Sequence, residues 1–252
     1  MQIHMHVYCI NLEKRADRRE HAQKEFDREG IADVEFFKAT DGRLEAPDYI
    51  FVSKPEYGCN DSHWRVYRDI VKNGYERALI FEDDVHLSPN FKTKLEIAME
   101  EVSPFEWDLL YLGHNLSIKE EFLTSNIFAG KPLATHAYVI TLDAAKKICN
   151  LDTKLIRHSI DFELNRIPLH RLGLVNKIAF QSPSGHLIDE AIQQFKGDLW
   201  SDRTIDLGHF VILSVDYVAV IALVLLVYSL RLPFMKPRMY LMMLFGLFKL
   251  IP

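Results

Sequence analysis

Apolar residues in this chain come in short dense runs separated by amphipathic stretches. His4–Leu12 alternates apolar and polar positions, as a half-buried strand does, and it ends in the charged loop Glu13-Lys14-Arg15. Asp17 then offers a cap for a helix running to Glu29, where Gly30 stops it. Val34–Ala39 predicts a second strand, closed by the turn Thr40-Asp41-Gly42. Asp61 or Ser62 is expected to open a helix through Val71, ended by Asn73-Gly74, and Arg77–Phe81 is a third strand. A helix from Ser88 or Asn90 to about Val102 follows, then strands Trp107–Leu112 and Ala137–Thr141 and a helix Asp143–Asn150. Strands alternating with helices of about ten residues predict an α/β sandwich with a mostly parallel central sheet. Ligands of such sheets lie beyond the carboxyl ends of the strands.

The pattern changes near residue 209. From there the chain is almost continuously apolar, with Asp216 its one acid. We therefore divide it into a body, 1–208, and a hydrophobic tail, 209–252, expected to be helical. Phe210–Leu230 is 21 residues long, enough to cross a hydrocarbon layer of about 30 Å. Asp216 would cost on the order of 2.5–3.5 kcal/mol at mid-membrane. Arg231, Lys236 and Arg238 form a basic linker suited to anionic headgroups, and the apolar stretch from Met239 to Ile251 is too short to span. A basic linker belongs on the cytoplasmic side, which a single crossing from a cytosolic body would not allow. A helix lying in one leaflet, or a hairpin, meets both conditions; packing of the tail against the body is the alternative.

Composition narrows the class. The 252 residues are 48% hydrophobic and 26% charged, as in globular proteins, with a net charge of −5 that gives no footing for bulk nucleic-acid binding. Cys9, Cys59 and Cys149 make neither a disulfide framework nor a CxxC metal site. The first residues carry neither a basic n-region nor an unbroken apolar core, so a signal peptide is not expected and the body is placed in the cytosol.

One feature suggests chemistry. The strand ALIF runs straight into Glu82, Asp83 and Asp84. Mg²⁺ and Mn²⁺ take oxygen ligands, commonly one or two carboxylates together with substrate phosphates. Alternation along a strand predicts Glu82 and Asp84 on one side, able to share such an ion, with Asp83 facing away. A solvated turn is the other explanation.

Several ordered stretches carry a resemblance: YCINLEKRADRR (8–19), FFKATDG (36–42), YGCNDSHWRVYRDIVKNG (57–74), ALIFEDDVHL (78–87), WDLLYLG (107–113) and THAYVITLDAAKKI (135–148), with a weaker HSID (158–161). Together they resemble glycosyltransferase family 25, which includes lipooligosaccharide and procollagen galactosyltransferases. The resemblance implies a GT-A-like fold, a UDP-sugar donor, Mn²⁺ or Mg²⁺, a glycan acceptor that is lipid-linked in some members, and inversion at the anomeric carbon. It makes Asp84 the first metal ligand, with Glu82 on the metal, on its bound water or on the ribose, and Asp83 on the metal or the nucleotide. Asn11, Leu12, Arg15 and Arg18 match the segment that wraps the nucleotide. Asp41 matches a position suited to ribose hydroxyls, although Asp-Gly is also a common turn pair. Ser62 and His63 fall in the Gly-Cys-x-x-Ser-His motif; a helix opening at Ser62 would offer free N–H groups to a phosphate. Asp161 is the candidate general base with Glu163 in reserve, His186 is a candidate late ligand, and Asp108 is more simply a buried structural acid. A transferase extending a lipid-borne glycan would work at the cytoplasmic face of a membrane, held there by the tail. A metal-dependent phosphohydrolase and a non-catalytic sugar-binding protein are the rival readings.

Overall fold

Burial on both faces explains why the central strands are so uniformly apolar. In β3 (Arg77–Glu82) and β8 (Ala137–Thr141) the four residues Ala78–Phe81 and the four residues Ala137–Ile140 are all buried. The computed structural model describes residues 5–48, 50–115, 117–151 and 157–181, all within the compact unit Met1–His186. The tail 209–252, His186 and Asp216 lie outside the described residues.

Alternate strand residues feed two cores. Cys9, Leu79, Phe81, Leu110 and Val139 pack on one face against Phe26 of α1 (Ala16–Glu29) and Phe91 and Leu95 of α4 (Phe91–Glu101). Tyr8, Ala78, Ile80, Tyr138 and Ile140 pack on the other face. There they meet Trp64, Tyr67 and Ile70 of α3 (Lys54–Asn73) and Ile148 of α5 (Leu142–Cys149). Each leucine, isoleucine, valine and phenylalanine among them is worth roughly 1.5–3 kcal/mol of transfer free energy, so the two cores hold the layers together.

The remaining strands are β1 (His6–Asn11), β2 (Val34–Lys38), β4 (Val85–Leu87), β5 (Leu109–Tyr111), β6 (Ser117–Phe122), β7 (Ile127–Pro132), β9 (Arg171–Leu174) and β10 (Ala179–Gln181). The eight-stranded sheet has the order β2-β1-β3-β8-β5-β9-β7-β6, and β10 pairs with β4 in a separate two-stranded ribbon. The sheet is mixed, not mostly parallel. Three neighbouring pairs are parallel and four antiparallel. A parallel return needs a crossover, usually a helix. Between β5 and β8 the chain instead spends its length on the β6–β7 hairpin, so β8 enters the sheet reversed. That hairpin escaped the hydrophobic pattern because its outer strand, SIKEEF, lies largely exposed at the sheet edge.

Helix α3 begins eight residues before the expected Ser62. Ser53 and Glu56 form a capping box, with Pro55 in the first turn. Gly74, at φ 70°, ends the helix in the left-handed conformation. The short helix α2 (Gly42–Glu45), capped by Asp41, lies directly on α3. A Cβ on Gly42 would stand 1.8 Å from the Lys54 carbonyl oxygen, and one on Gly58 would stand 2.7 Å from the Thr40 carbonyl oxygen. Backbone contact at both glycines sets this approach.

Glu25 of α1 fixes the position of β4. It is 9% exposed. Its Oε2 accepts the Leu87 N–H at 2.7 Å and an Arg28 N–H at 2.7 Å. Burial opposes the charge of this carboxylate, but the Leu87 amide and Arg28 outweigh it and hold the group below its ordinary range. A depressed folded value means stability that is present above the unfolded value of 4.5 and lost as pH falls through the folded one. Glu25→Gln should therefore lower unfolding free energy by about 1–3 kcal/mol at neutral pH. In urea melts the gap between variant and parent should close in acid.

Candidate functional site

The three acids at the end of β3 diverge because the strand stops at Glu82 and Asp83–Asp84 form a turn. Strand alternation ends there too, so Asp83 does not simply face away from Asp84. Glu82 Oε1 accepts the Thr135 hydroxyl at 2.7 Å and faces His63 Nε2 at 3.3 Å. Asp83 and Asp84 instead share Arg18. Its guanidinium donates to Asp83 Oδ1 at 3.0 Å and lies 3.4 Å from Asp84 Oδ2. Asn11 donates to the second oxygen of Asp83 at 2.7 Å, so Asp83 is partnered on both sides. Asp84 Oδ2 also accepts from Gln181 at 3.3 Å, a contact made possible by the pairing of Gln181 opposite Val85.

Asp84 Oδ1 has no partner among the described residues, although the residue is only 9% exposed. Burial, with the charges of Glu82 and Asp83, raises its carboxyl from 3.8 to about 7, against the pull of Arg18 and Gln181. Glu82 moves the other way. Burial alone would raise it, but His63 and Thr135 hold it well below the usual carboxylate range. A buried, unpartnered carboxylate oxygen that feels the charge of the ionised Glu82 suits a hard divalent cation, which would supply the missing positive charge.

Behind Glu82 a line of polar groups enters the core. His63 is fully buried; its Nδ1 lies 2.8 Å from the Tyr138 hydroxyl, which lies 2.7 Å from the Tyr67 hydroxyl. An ionised Glu82 only accepts, so Nε2 carries the proton; in a neutral ring Nδ1 then accepts from Tyr138, and Tyr138 from Tyr67. Burial pushes both phenols well above their ordinary value, which keeps them protonated.

The residues expected around a nucleotide fall into three sets. Asn11 donates to Asp83 and to the Arg15 carbonyl at 3.2 Å, and Arg18 turns one guanidinium nitrogen to the acidic turn. Arg15 pairs with Asp17 at 2.7 Å in an exposed ion pair, and Leu12 accepts the Arg15 N–H through its carbonyl at 2.8 Å. Asp41 accepts from Arg43 N–H at 3.2 Å and pairs with Lys14, and that ammonium holds it below the ordinary carboxylate value. Ser62 corrects an expectation. It sits within α3, bonded to the Gly58 carbonyl at 2.6 Å and accepting the Thr40 N–H at 2.9 Å, so no helix end there offers free amides.

Asp161 opens α6 (Ile160–Arg166). Its Oδ1 accepts from the Ser159 hydroxyl at 2.6 Å and Phe162 N–H at 2.9 Å, and its Oδ2 accepts from Ala134 N–H at 3.3 Å. Glu163 is committed to the Arg157 and His158 amides at 2.8 and 2.9 Å. Asp108 lies at the other end of the sheet, where it pairs with Lys147 at 2.8 Å. The loop 133–136 ties the site together: Thr135 reaches Glu82, and Ala134 reaches Asp161 from a strained backbone with φ 88°. Thr135, Tyr138, Lys14 and Gln181 were not singled out from sequence. The first two lie inside the stretch THAYVITLDAAKKI but carry no local mark of their role.

The family model for glycosyltransferase family 25 (LPS biosynthesis protein) matches residues 4–164, well over half of the chain. This chain belongs to that family. A glycosyltransferase 25 family member of Aedes aegypti is 31% identical over 167 residues, 57% of this chain and 27% of that protein. Procollagen galactosyltransferase 2 of Mus musculus is 30% identical over 172 residues, 58% of this chain and 27% of that one. The inactive glycosyltransferase 25 family member 3 of Homo sapiens is 38% identical over 104 residues, 38% and 18% of the two chains. The match thus spans about a quarter of the length of the first two relatives.

The two aspartates should behave differently when no metal is present. Asp83→Asn breaks a contact that is satisfied on both oxygens and is expected to destabilise by about 1–3 kcal/mol. Asp84→Asn removes a buried charge with an unpartnered oxygen and should leave stability above pH 7 unchanged or higher. Urea denaturation in chelator measures both.

Proposed function

We propose that this chain is an inverting glycosyltransferase of GT-A-like architecture that moves a hexose from a UDP-sugar to a glycan acceptor. The observation that carries this reading is the buried, unpartnered Oδ1 of Asp84 in the acidic turn after β3, inside the segment matched by the family model. Glu82 and Asp84 would hold Mn²⁺ or Mg²⁺. When bound, such an ion supplies positive charge to the diphosphate of the donor.

The chain's own groups do the rest. Arg18 keeps Asp83 and Asp84 together and limits the repulsion between them. Lys14, Arg15 and Asp41 line the approach to the ends of β1 and β2, where the first two offer donors to a nucleotide and Asp41 offers oxygens to ribose. Asp161 takes the proton of the acceptor hydroxyl as its oxygen attacks the anomeric carbon. One C–O bond to the acceptor forms, the C–O bond to the diphosphate breaks, and UDP leaves with the electron pair. Galactose is the hexose we favour, since a relative bears the name procollagen galactosyltransferase 2. The apolar tail would hold the protein on the cytoplasmic face of a membrane, near a lipid-borne acceptor such as a lipooligosaccharide.

A screen of UDP-sugars with and without Mn²⁺ tests the reading. UDP-galactose turnover should require Mn²⁺, and Asp84→Asn should lower kcat by roughly 10²–10³-fold, as for loss of a charge-stabilising group. Asp161→Asn should lower it by about 10²–10⁴-fold while donor binding is kept. Nucleotide affinity that calorimetry finds indifferent to Mn²⁺ would overturn the metal assignment. Donor binding without turnover would place the chain with its relatives named inactive.

A further inference from the structure

Cys59 has no part in the transfer chemistry, yet it faces the same acids. Its sulfur, one nitrogen of His63 and one carboxylate oxygen of Glu82 lie within 4.8 Å of one another. Cys9, by contrast, lies among apolar side chains of the core. His63 Nε2 and Glu82 Oε1 are already 3.3 Å apart. Ligand atoms around tetrahedral Zn²⁺, with bonds of about 2.0–2.3 Å, are separated by roughly 3.2–3.8 Å. The three atoms thus lie within about 1–2 Å of the separations a bound ion requires.

We propose that Cys59 Sγ, His63 Nε2 and Glu82 Oε1 form a Zn²⁺ site, distinct in its ligand chemistry from the hard-cation site at Asp84. A thiolate, an imidazole and one carboxylate select Zn²⁺ over Mn²⁺ or Mg²⁺, which prefer all-oxygen sites. Three protein ligands leave a fourth position for water. The charges of a thiolate and Glu82 together neutralise the ion.

The supporting contacts are in place. Thr135 donates to Glu82 Oε1 at 2.7 Å and orients it. Tyr138 stands 2.8 Å from the Nδ1 of His63. On binding, the Cys59 S–H bond breaks, its proton goes to solvent, and sulfur bonds the metal. The imidazole proton shifts from Nε2 to Nδ1, where it is donated to the Tyr138 oxygen, the usual partner arrangement behind a metal-bound histidine. Tyr138 and Thr135 are in this sense positioning residues.

The test uses the purified full chain, stripped with chelator and titrated with Co²⁺ as a spectroscopic substitute, then with Zn²⁺ in competition. A thiolate-to-cobalt charge-transfer band is expected, and Zn²⁺ should abolish it. Cys59→Ser should remove the band and weaken Zn²⁺ binding by more than 10-fold. Tyr138→Phe should keep the band and weaken binding by about 10–100-fold. Asp84→Asn should keep both band and affinity. Co²⁺ bound without the band, Cys59→Ser binding Zn²⁺ as the parent does, or loss of the band in Asp84→Asn would each overturn the site. Sugar transfer plays no part in these readouts, so failure of the transferase reading would leave this result standing.

Discussion

Mutual repulsion of three adjacent carboxylates is the constraint around which this end of the molecule is built. Glu82, Asp83 and Asp84 sit together at the exit of the central strand, largely out of water. The fold meets the problem three ways at once. Glu82 turns toward His63 and Thr135, and Asp83 is closed by Asn11 and Arg18. Asp84 keeps one oxygen unsatisfied and takes on protons more readily as a result. A buried polar group without a partner costs of order 1–3 kcal/mol, so Asp84 is the acid of the three whose demand the described residues leave unmet.

The elements that meet these acids come from distant parts of the chain, and the mixed sheet is what delivers them. Because β8 runs against β3, its entry loop 133–136 arrives beside the exit of β3. Thr135 and Ala134 thereby bridge Glu82 to Asp161. The ribbon of β4 and β10 brings Gln181 to Asp84, and Glu25 and Arg28 of α1 hold that ribbon in place. A fully parallel sheet would have put the start of β8 at the opposite end. The reversal that departs from the expected architecture is therefore also what completes the site.

Helix α3 links site and core through one face. Its capping box at Ser53 sets where it starts, and the close approach of Gly42 and Gly58 sets its position against α2 and the turn after β2. From there His63 reaches Glu82, and Tyr67 extends the hydrogen-bonded line inward. The signal for this start, Ser-Lys-Pro-Glu, is present in the sequence. Asp61 and Ser62 look like caps as well, but both lie within the helix.

Short-range order was legible from residues alone wherever one local cause decided it. Gly30 ends α1, Asn73-Gly74 ends α3, and the apolar runs of β1, β3 and β8 mark strands buried on both faces. The ordered motifs likewise identified the family and drew attention to the acidic turn. Pairing direction, the exposed hairpin strand β6 and the partners of each acid were not legible. They depend on which strands lie side by side, and two residues that meet across 97 positions, as Asp84 and Gln181 do, leave no periodic trace. Sequence by itself determined which segments prefer helix or strand and which side chains carry charge. Tertiary structure alone decided which charges share a partner and which oxygen is left without one, because those depend on distance in space and on exclusion of water.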